Sequence, residues 1–131
     1  MVNAINIEAA LADVPVLAGR TPGTPEAEVA AAFATLAGFG NGALFAGSFS
    51  GESQWERHPK GDELVHILKG LTTLTILMDA GPQVLELGTG MLTVVPQGRW
   101  HRFHAPDGVT VLTATPQPTD HSSADDPRGD G

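Results

Sequence analysis

Side chains able to bind a metal or move a proton are concentrated in two stretches of this 131-residue chain. The first, residues 55–70, begins with polar residues and continues as an apolar strand that stops at Gly70. Its chemically active residues are Glu56, His58, Asp62 and Glu63. The second, residues 90–101, runs from an apolar strand through a turn with Pro and Gly to His101. Imidazole and carboxylate ligands suit Zn, Fe, Mn or Ni, and the chain has no cysteine to supply a thiolate. Together the stretches predict a divalent metal site between β strands.

The alternation of side chains along a strand predicts which residues share a face. Glu56 and His58 are two residues apart and are expected to point the same way. From Glu63, the inward positions are taken by Val65 and Ile67. His66 then faces away from the site. By the same rule the inward set around His101 includes Arg99 and Phe103, and the outward set comprises Trp100, Arg102 and His104.

The first stretch resembles the first sequence motif of the cupin superfamily, which reads G, five residues, H-x-H, three or four residues, E, six residues, G. Here Glu-Arg-His at residues 56–58 is followed after four residues by Glu63, and after six more by Gly70. Ser50 stands where the opening glycine of the motif falls, with Gly51 next to it. Glu56 therefore replaces the first histidine of the family pattern.

The second stretch resembles the second cupin motif, which reads G, five residues, P-x-G, two residues, H, three residues, N. Here Gly90 precedes Pro-Gln-Gly at residues 96–98, which is followed by His101 at the same spacing. Ala105 stands where the family often has asparagine. The resemblance covers about residues 42–115.

The resemblance implies an all-β fold, the double-stranded β-helix or jelly-roll barrel, with one short N-terminal helix outside it. It also implies a divalent metal ion, Fe, Mn, Zn or Ni. The implied ligand set is His58, Glu63, His101 and Glu56. Two carboxylates favour harder ions such as Mn or Fe(II) over Cu. Without metal they would repel, so that one of them should bind a proton more readily than a free glutamate.

Glu56 has three roles open to it: metal ligand, catalytic base, or surface partner of Arg57. The expected substrate pocket is lined by Arg99, Phe103, Trp55 and Trp100, although a surface-reaching arginine and plain tryptophan packing are alternatives. His66, His104 and His121 are interpreted as ordinary hydrogen-bonded groups.

Three segments are predicted: an N-terminal extension at 1–41, the barrel at 42–115 and a polar tail at 116–131. Thr24 as N-cap, Pro25 at the first position and Gly38 as stop predict a helix over 24–38. Residues 2–11 form either a short strand or a helical turn. Strands are predicted at 43–50, 63–69, 71–78, 84–87, 91–95, 99–104 and 109–115. The tail is expected to be disordered or laid over a neighbour, because its composition cannot build a core.

Composition excludes several functions. The net charge of −8 argues against nucleic acid and against anionic membrane surfaces. No signal peptide or membrane-spanning run is recognisable, so a cytoplasmic location is the default. Sixteen glycines and ten prolines fit the many turns of an all-β fold.

The sequence leaves three functional hypotheses open. The leading hypothesis is a metal-dependent cupin that acts on a small organic molecule, by dioxygenase, isomerase or decarboxylase chemistry. The second is a non-catalytic module that senses or stores a small ligand or metal, and the third is a vestigial site without metal. By resemblance to other small cupins, and because exposed strand edges need cover, a homodimer is expected.

Overall fold

Two strands of sixteen residues each organise the fold in the computed structural model, which describes residues 2–128. The elements in chain order are α1 (Ile7–Ala12), β1 (Leu17–Arg20), α2 (Glu26–Ala31), β2 (Phe33–Phe39), β3 (Gly42–Glu52), β4 (Trp55–Arg57), β5 (Glu63–Met78), β6 (Gly81–Gly88), β7 (Leu92–Val95), β8 (His101–Pro116) and β9 (Asp120–Ser122). The long strands β5 and β8 begin at Glu63 and His101, so each presents a candidate ligand at its first residue.

The long strands pair with several neighbours because they bend. Strands β5 and β8 are antiparallel, and their register shifts between Ile67 and Lys69 and again between Gly70 and Thr73. At this bend Gly70 has φ +90°, and a Cβ there would lie 2.5 Å from the Gly108 carbonyl oxygen. Only glycine allows the backbones to approach so closely. The bend lets β8 pair with β3 and β4 as well, and β5 with β6 and β7, so that the sheet curls into a barrel.

The core lies between the faces of the curled sheet, and the alternation predicted from the sequence is observed there. Val65 and Ile67 are fully buried, whereas His66 between them is half-buried. The buried apolar side chains form one cluster: Phe49, Val65, Ile67, Leu74, Ile76, Leu87, Val95, Phe103, Ala105, Val109 and Val111. The all-β prediction is confirmed. Within residues 2–128 no helix is long and apolar enough to cross a membrane.

The helix predicted over 24–38 is wrong in its second half. Helix α2 ends at Ala31, and β2 follows at once and pairs antiparallel with β3. The edge of β3 offers a ladder of backbone hydrogen bonds, which outweighs the helix propensity of residues 33–38. Phe33 instead packs its ring 6.2 Å from that of Phe49. In the N-terminal segment the helical alternative is the one observed, as α1, capped by Asn6, which accepts from the Ala9 N–H at 2.9 Å.

Two further boundaries differ from the prediction. The predicted strands 99–104 and 109–115 were expected to be separate, but residues 101–116 form one strand, β8, which continues through its bend. Gly70 likewise lies inside β5. The tail contains β9, which pairs with β4, so part of it is laid on the same chain. The described residues of the tail also contact Trp55, whose indole N–H donates to the Asp125 carbonyl at 3.2 Å.

Candidate metal centre

Three buried side chains bring their ligand atoms together: His58, Glu63 and His101. The three ligand atoms all lie within 4.8 Å of one another. Nε2 of His101 is 3.0 Å from Oε1 of Glu63, and Nε2 of His58 is 3.2 Å from Oε2 of the same carboxylate. Two imidazoles and one carboxylate therefore surround one small volume.

The backbone holds this group through the two turns that carry the sequence motifs. The Gly98 N–H donates to the His58 carbonyl at 3.1 Å. Gln97 adds two bonds, from its backbone N–H to Asp62 Oδ1 and from its side-chain amide to the Pro59 carbonyl, both at 2.8 Å. Because the second motif is tied to the first in this way, His58 sits beside the first residues of β5 and β8.

Outer hydrogen bonds fix the orientation of each ligand. Nδ1 of His101 is 3.1 Å from the Arg99 carbonyl, and a carbonyl only accepts, so this nitrogen carries the proton. Nδ1 of His58 is 2.9 Å from Thr119 Oγ1. The Thr115 hydroxyl donates to Glu63 Oε2 at 2.6 Å. Such outer partners are what metal-binding imidazoles and carboxylates usually have.

The ring nitrogens Nε2 of His101 and Nε2 of His58 both indicate that the three side chains fit a bound cation. With its proton on Nδ1, a neutral His101 aims the Nε2 lone pair at a carboxylate oxygen, which is repulsive unless a proton or a cation lies between them. Nε2 of His58 is buried, and despite its short distance to Glu63 it makes no hydrogen bond with any described residue. An unpaired buried nitrogen such as Nε2 of His58 is costly, and a divalent ion would bind it and take the place of the proton between His101 and Glu63.

The electrostatics of the site keep Glu63 ionised. Burial alone would raise the pKa of Glu63, but the hydrogen bond from His101 and the nearby His58 ring lower it to about 2. Burial would likewise lower the pKa of His101, yet its bond to Glu63 raises that pKa above the ordinary value. The expectation that carboxylate repulsion would protonate one glutamate is therefore wrong for Glu63, because its immediate neighbours are imidazoles.

The structure does not bring Glu56 into the group of three ligands. Its side chain is 22% exposed, and Oε2 lies 3.4 Å from Nε2 of His121. The other ring nitrogen of His121 lies 3.1 Å from Oε1 of Glu26. A hydrogen bond to the Glu56 carboxylate and the negative charges of Glu56 and Glu26 raise the pKa of His121, although partial burial opposes this rise. Glu56 is thus paired with β9, and its surface partner is His121 rather than Arg57, which pairs with Asp120.

A cavity of about 450 Å³ adjoins two of the three candidate ligands, His58 and Glu63. Glu56 lines the same cavity, so Glu56 and His58 face the same space. Its apolar wall comprises Val29, Ala30, Phe33, Phe45, Phe103 and Val111. Segments from both sides of the barrel sequence complete the wall, residues 20–30 before it and residues 117–121 after it. The volume suits a small organic molecule.

Of the four residues expected to line the pocket, only Phe103 does so. Arg99 instead makes an ion pair with Asp79, with Nη1 2.6 Å from Oδ1, on the surface. Its strand begins at His101, so the alternation rule does not extend back to residue 99. The ring of Trp100 packs against the Arg57 guanidinium at 4.5 Å, and Trp55 is buried beneath Arg102 at 4.4 Å. The expected positions of Arg99, Trp100 and Trp55 are corrected accordingly.

Several site residues carry no signal in the sequence. Arg20, Thr115, Thr119 and His121 lie outside the two motifs and reach the site only through the pairing of β1, β8 and β9. His66 and His104 stay outside the ligand group, as expected, and His104 is exposed beside Glu52.

Comparisons with known proteins place the chain in a family. Residues 49–114 match the family described as Cupin domain, which is half of the chain, and the chain belongs to this family. No curated protein matches its sequence. The predicted resemblance to cupins and the predicted jelly-roll fold are both confirmed.

Three solved structures of similar fold differ in how much of their own length this chain covers. A conserved protein of unknown function from Streptococcus pyogenes is 25% identical with a TM-score of 0.56, over 66% of this chain and 73% of that one. A cupin-2 domain containing protein from Shewanella frigidimarina is 19% identical with a TM-score of 0.54, over 69% and 79%. Oxalate decarboxylase of Bacillus subtilis, which has Mn(II) centres, is 13% identical with a TM-score of 0.54, over 60% and 23%. The last two share the fold alone.

Proposed function

We propose that this chain is a metal-dependent cupin that binds a small organic molecule in its barrel and acts on it. The proposed metal ligands are His58, Glu63 and His101. The observation that carries the proposal is the buried Nε2 of His58, which has no hydrogen-bond partner within residues 2–128 and lies near the same carboxylate as Nε2 of His101. A site of this kind suits Fe, Mn, Zn or Ni.

When bound, a divalent ion would polarise an oxygen of the substrate, which is the chemistry shared by dioxygenase, isomerase and decarboxylase reactions. The chain's own residues support that chemistry in three ways. Thr115 holds the Glu63 carboxylate, the phenylalanine side chains exclude water, and Glu56 lines the same cavity as a group that can accept a proton. We therefore keep Glu56 as the proposed catalytic base and drop it as a ligand.

The test is metal analysis of protein purified without chelator. The wild-type chain should hold about one divalent ion, and His58→Ala, His101→Ala and the double variant should each lose it because a ligand nitrogen is removed. His104→Ala is the matched control, since this imidazole is exposed and lies outside the ligand group. Stoichiometric metal in the double variant would contradict the assignment.

We also propose that the functional form is a homodimer. Exposed apolar side chains cluster around the strands β6 and β7: Leu71, Val84, Met91, Leu92 and Val94. Leu71 and Met91 both approach Gly88, so these two side chains adjoin each other. A second copy of this chain would cover the exposed apolar side chains along β6 and β7.

A further inference from the structure

Arg20 is a buried cation that the proposed chemistry does not use. It is the last residue of β1, it is 7% exposed, and it lines the same cavity as His58 and Glu63. Its Nε is buried without a hydrogen-bond partner, and no carboxylate of the described chain lies within ion-pair distance of it. A buried guanidinium left unpaired is strongly unfavourable, so a partner from outside the chain is implied.

The backbone is built to place this residue at the cavity. Strand β1 runs parallel to β3, with Arg20 opposite Gly51. Gly51 has φ +103°, and a Cβ there would lie 2.1 Å from the Arg20 carbonyl oxygen. Any other residue at 51 would push β1 away. The guanidinium carbon then rests 4.8 Å above the Phe49 ring, which supports the cation from below.

The nearest acidic residue of the cavity does not neutralise Arg20. Glu56 exerts an attractive field on it, but burial outweighs this field and lowers the pKa of Arg20. The Glu56 carboxylate is directed to His121 instead, at 3.4 Å. A divalent ion beside Glu63 would leave one net positive charge there, and together with Arg20 it would balance Glu56 and Glu26, which also line the cavity. One positive charge then remains, opposite an apolar wall, when His121 is protonated.

We propose that Arg20 binds the carboxylate of a small monocarboxylic acid whose apolar body lies against Phe33, Phe45 and Phe103. This assignment deepens the proposed function and rests on it. The planar fork of a guanidinium matches a carboxylate with two parallel hydrogen bonds. A single guanidinium among apolar walls suits one negative charge better than the two of a phosphate. The acid is thereby held between Arg20 and the ligand group.

The test measures ligand binding by calorimetry on protein loaded with Mn²⁺, with metal content checked for every variant. The ligands are benzoate, phenylacetate, cinnamate and hexanoate, the primary amide of each, and phenylphosphonate. The variants are Arg20→Met and Arg20→Lys. The control is Arg128→Met, which makes the same change at a surface arginine paired only with Asp126.

The expected result is that at least one acid binds wild type about tenfold or more tightly than its amide, as a charge-assisted hydrogen bond provides. Arg20→Met should lose that preference while retaining metal, and Arg128→Met should keep it. Arg20→Lys, which keeps the charge but not the fork, should lose part of it. If Arg20→Met does not fold, Arg20→Lys is the deciding variant. A preference for the acid in Arg20→Lys that equals the wild-type preference would then overturn the proposal.

Three other results would overturn it: no preference for any acid in wild type, an undiminished preference in folded Arg20→Met, or tighter binding of phenylphosphonate. The same ligands are also tested on metal-free His101→Ala. If wild type binds no metal, the proposed function fails, yet loss of acid preference on changing Arg20 in metal-free protein would still support the role of Arg20.

Discussion

Glu56 shows how one side chain can have the predicted direction and a different partner. It points into the cavity with His58, but its carboxylate is close to His121 on β9 and not within the ligand group. No local spacing in the sequence indicates His121 as a partner, because β9 reaches β4 only after the barrel has closed. The clustering of His58, Glu63 and His101 was predictable, since the two motifs fix their spacing.

At the residue scale we predict that Glu56→Gln keeps its metal. The amide fills the same volume and removes a charge from the cavity wall, leaving all three ligand side chains in place. The metal content should stay at about one ion per chain by elemental analysis, while any turnover that needs a base at this position should fall. Loss of metal from this variant, with His104→Ala unaffected, would restore Glu56 as a ligand.

A second prediction at this scale concerns pH. In the metal-free protein the pKa of His101 is raised, whereas that of Glu63 is lowered to about 2, so the proton that competes with metal is held by His101 rather than by Glu63. Metal affinity should therefore fall as pH drops below the raised pKa, by about tenfold per pH unit, because one proton must leave for each ion bound.

The measurement is a metal titration at about pH 6, 7 and 8 in two buffers of different ionisation enthalpy, which also counts released protons. An affinity independent of pH, with no proton released, would show that His101 is already neutral or is not a ligand.

At the element scale, the tail is a structural part of the site. Thr119 bonds His58, Asp120 pairs with Arg57 at 2.8 Å, and Asp125 accepts from Trp55. Deleting residues 119–131 should lower the melting temperature by several degrees and weaken metal binding, since His58 loses its outer partner. The tail was expected to be disordered or laid over a neighbour, but residues 120–122 pair with β4 of the same chain.

A matched control for that deletion removes only residues 127–131, which follow these contacts. It should melt within about a degree of wild type, because Pro127 and Arg128 take no part in the contacts of Thr119, Asp120 and Asp125. Equal melting temperatures and metal affinities for both truncations would contradict a structural role for Thr119 to Asp125.

The element scale also shows where local sequence signals fail. Residues 33–38 have helix-forming alanines and a glycine stop, but they form β2 because the edge of β3 needs a partner. Gly108 reads as a turn and is instead the bend of a continuous strand, opposite Gly70. Both errors come from pairings between residues distant in the sequence, which short-range propensity does not contain.

At the scale of the whole molecule, the exposed apolar surface around β6 and β7 predicts a dimer in solution. Val84→Lys combined with Leu92→Lys should convert the dimer to a monomer, because both side chains are more than half exposed and would carry charge into the interface. Light scattering after size-exclusion chromatography measures the mass directly.

The control for the dimer is Val2→Lys, which makes an equivalent change at a fully exposed position outside this surface. It should leave the mass unchanged. A monomeric wild type would show that no such interface exists. A double variant that stays dimeric would show that the interface lies elsewhere.

The closure of the cavity by β9 has a consequence for how the protein matures. His58 and Glu63 precede Thr115, Thr119 and His121 by more than fifty residues in the chain. Translation therefore produces His58 and Glu63 well before Thr119 and Thr115, the side chains that bond them. The cavity wall is likewise incomplete until residues 117–121 have been made. A site of this kind would reach its full geometry only when the C-terminal segment has folded onto β4.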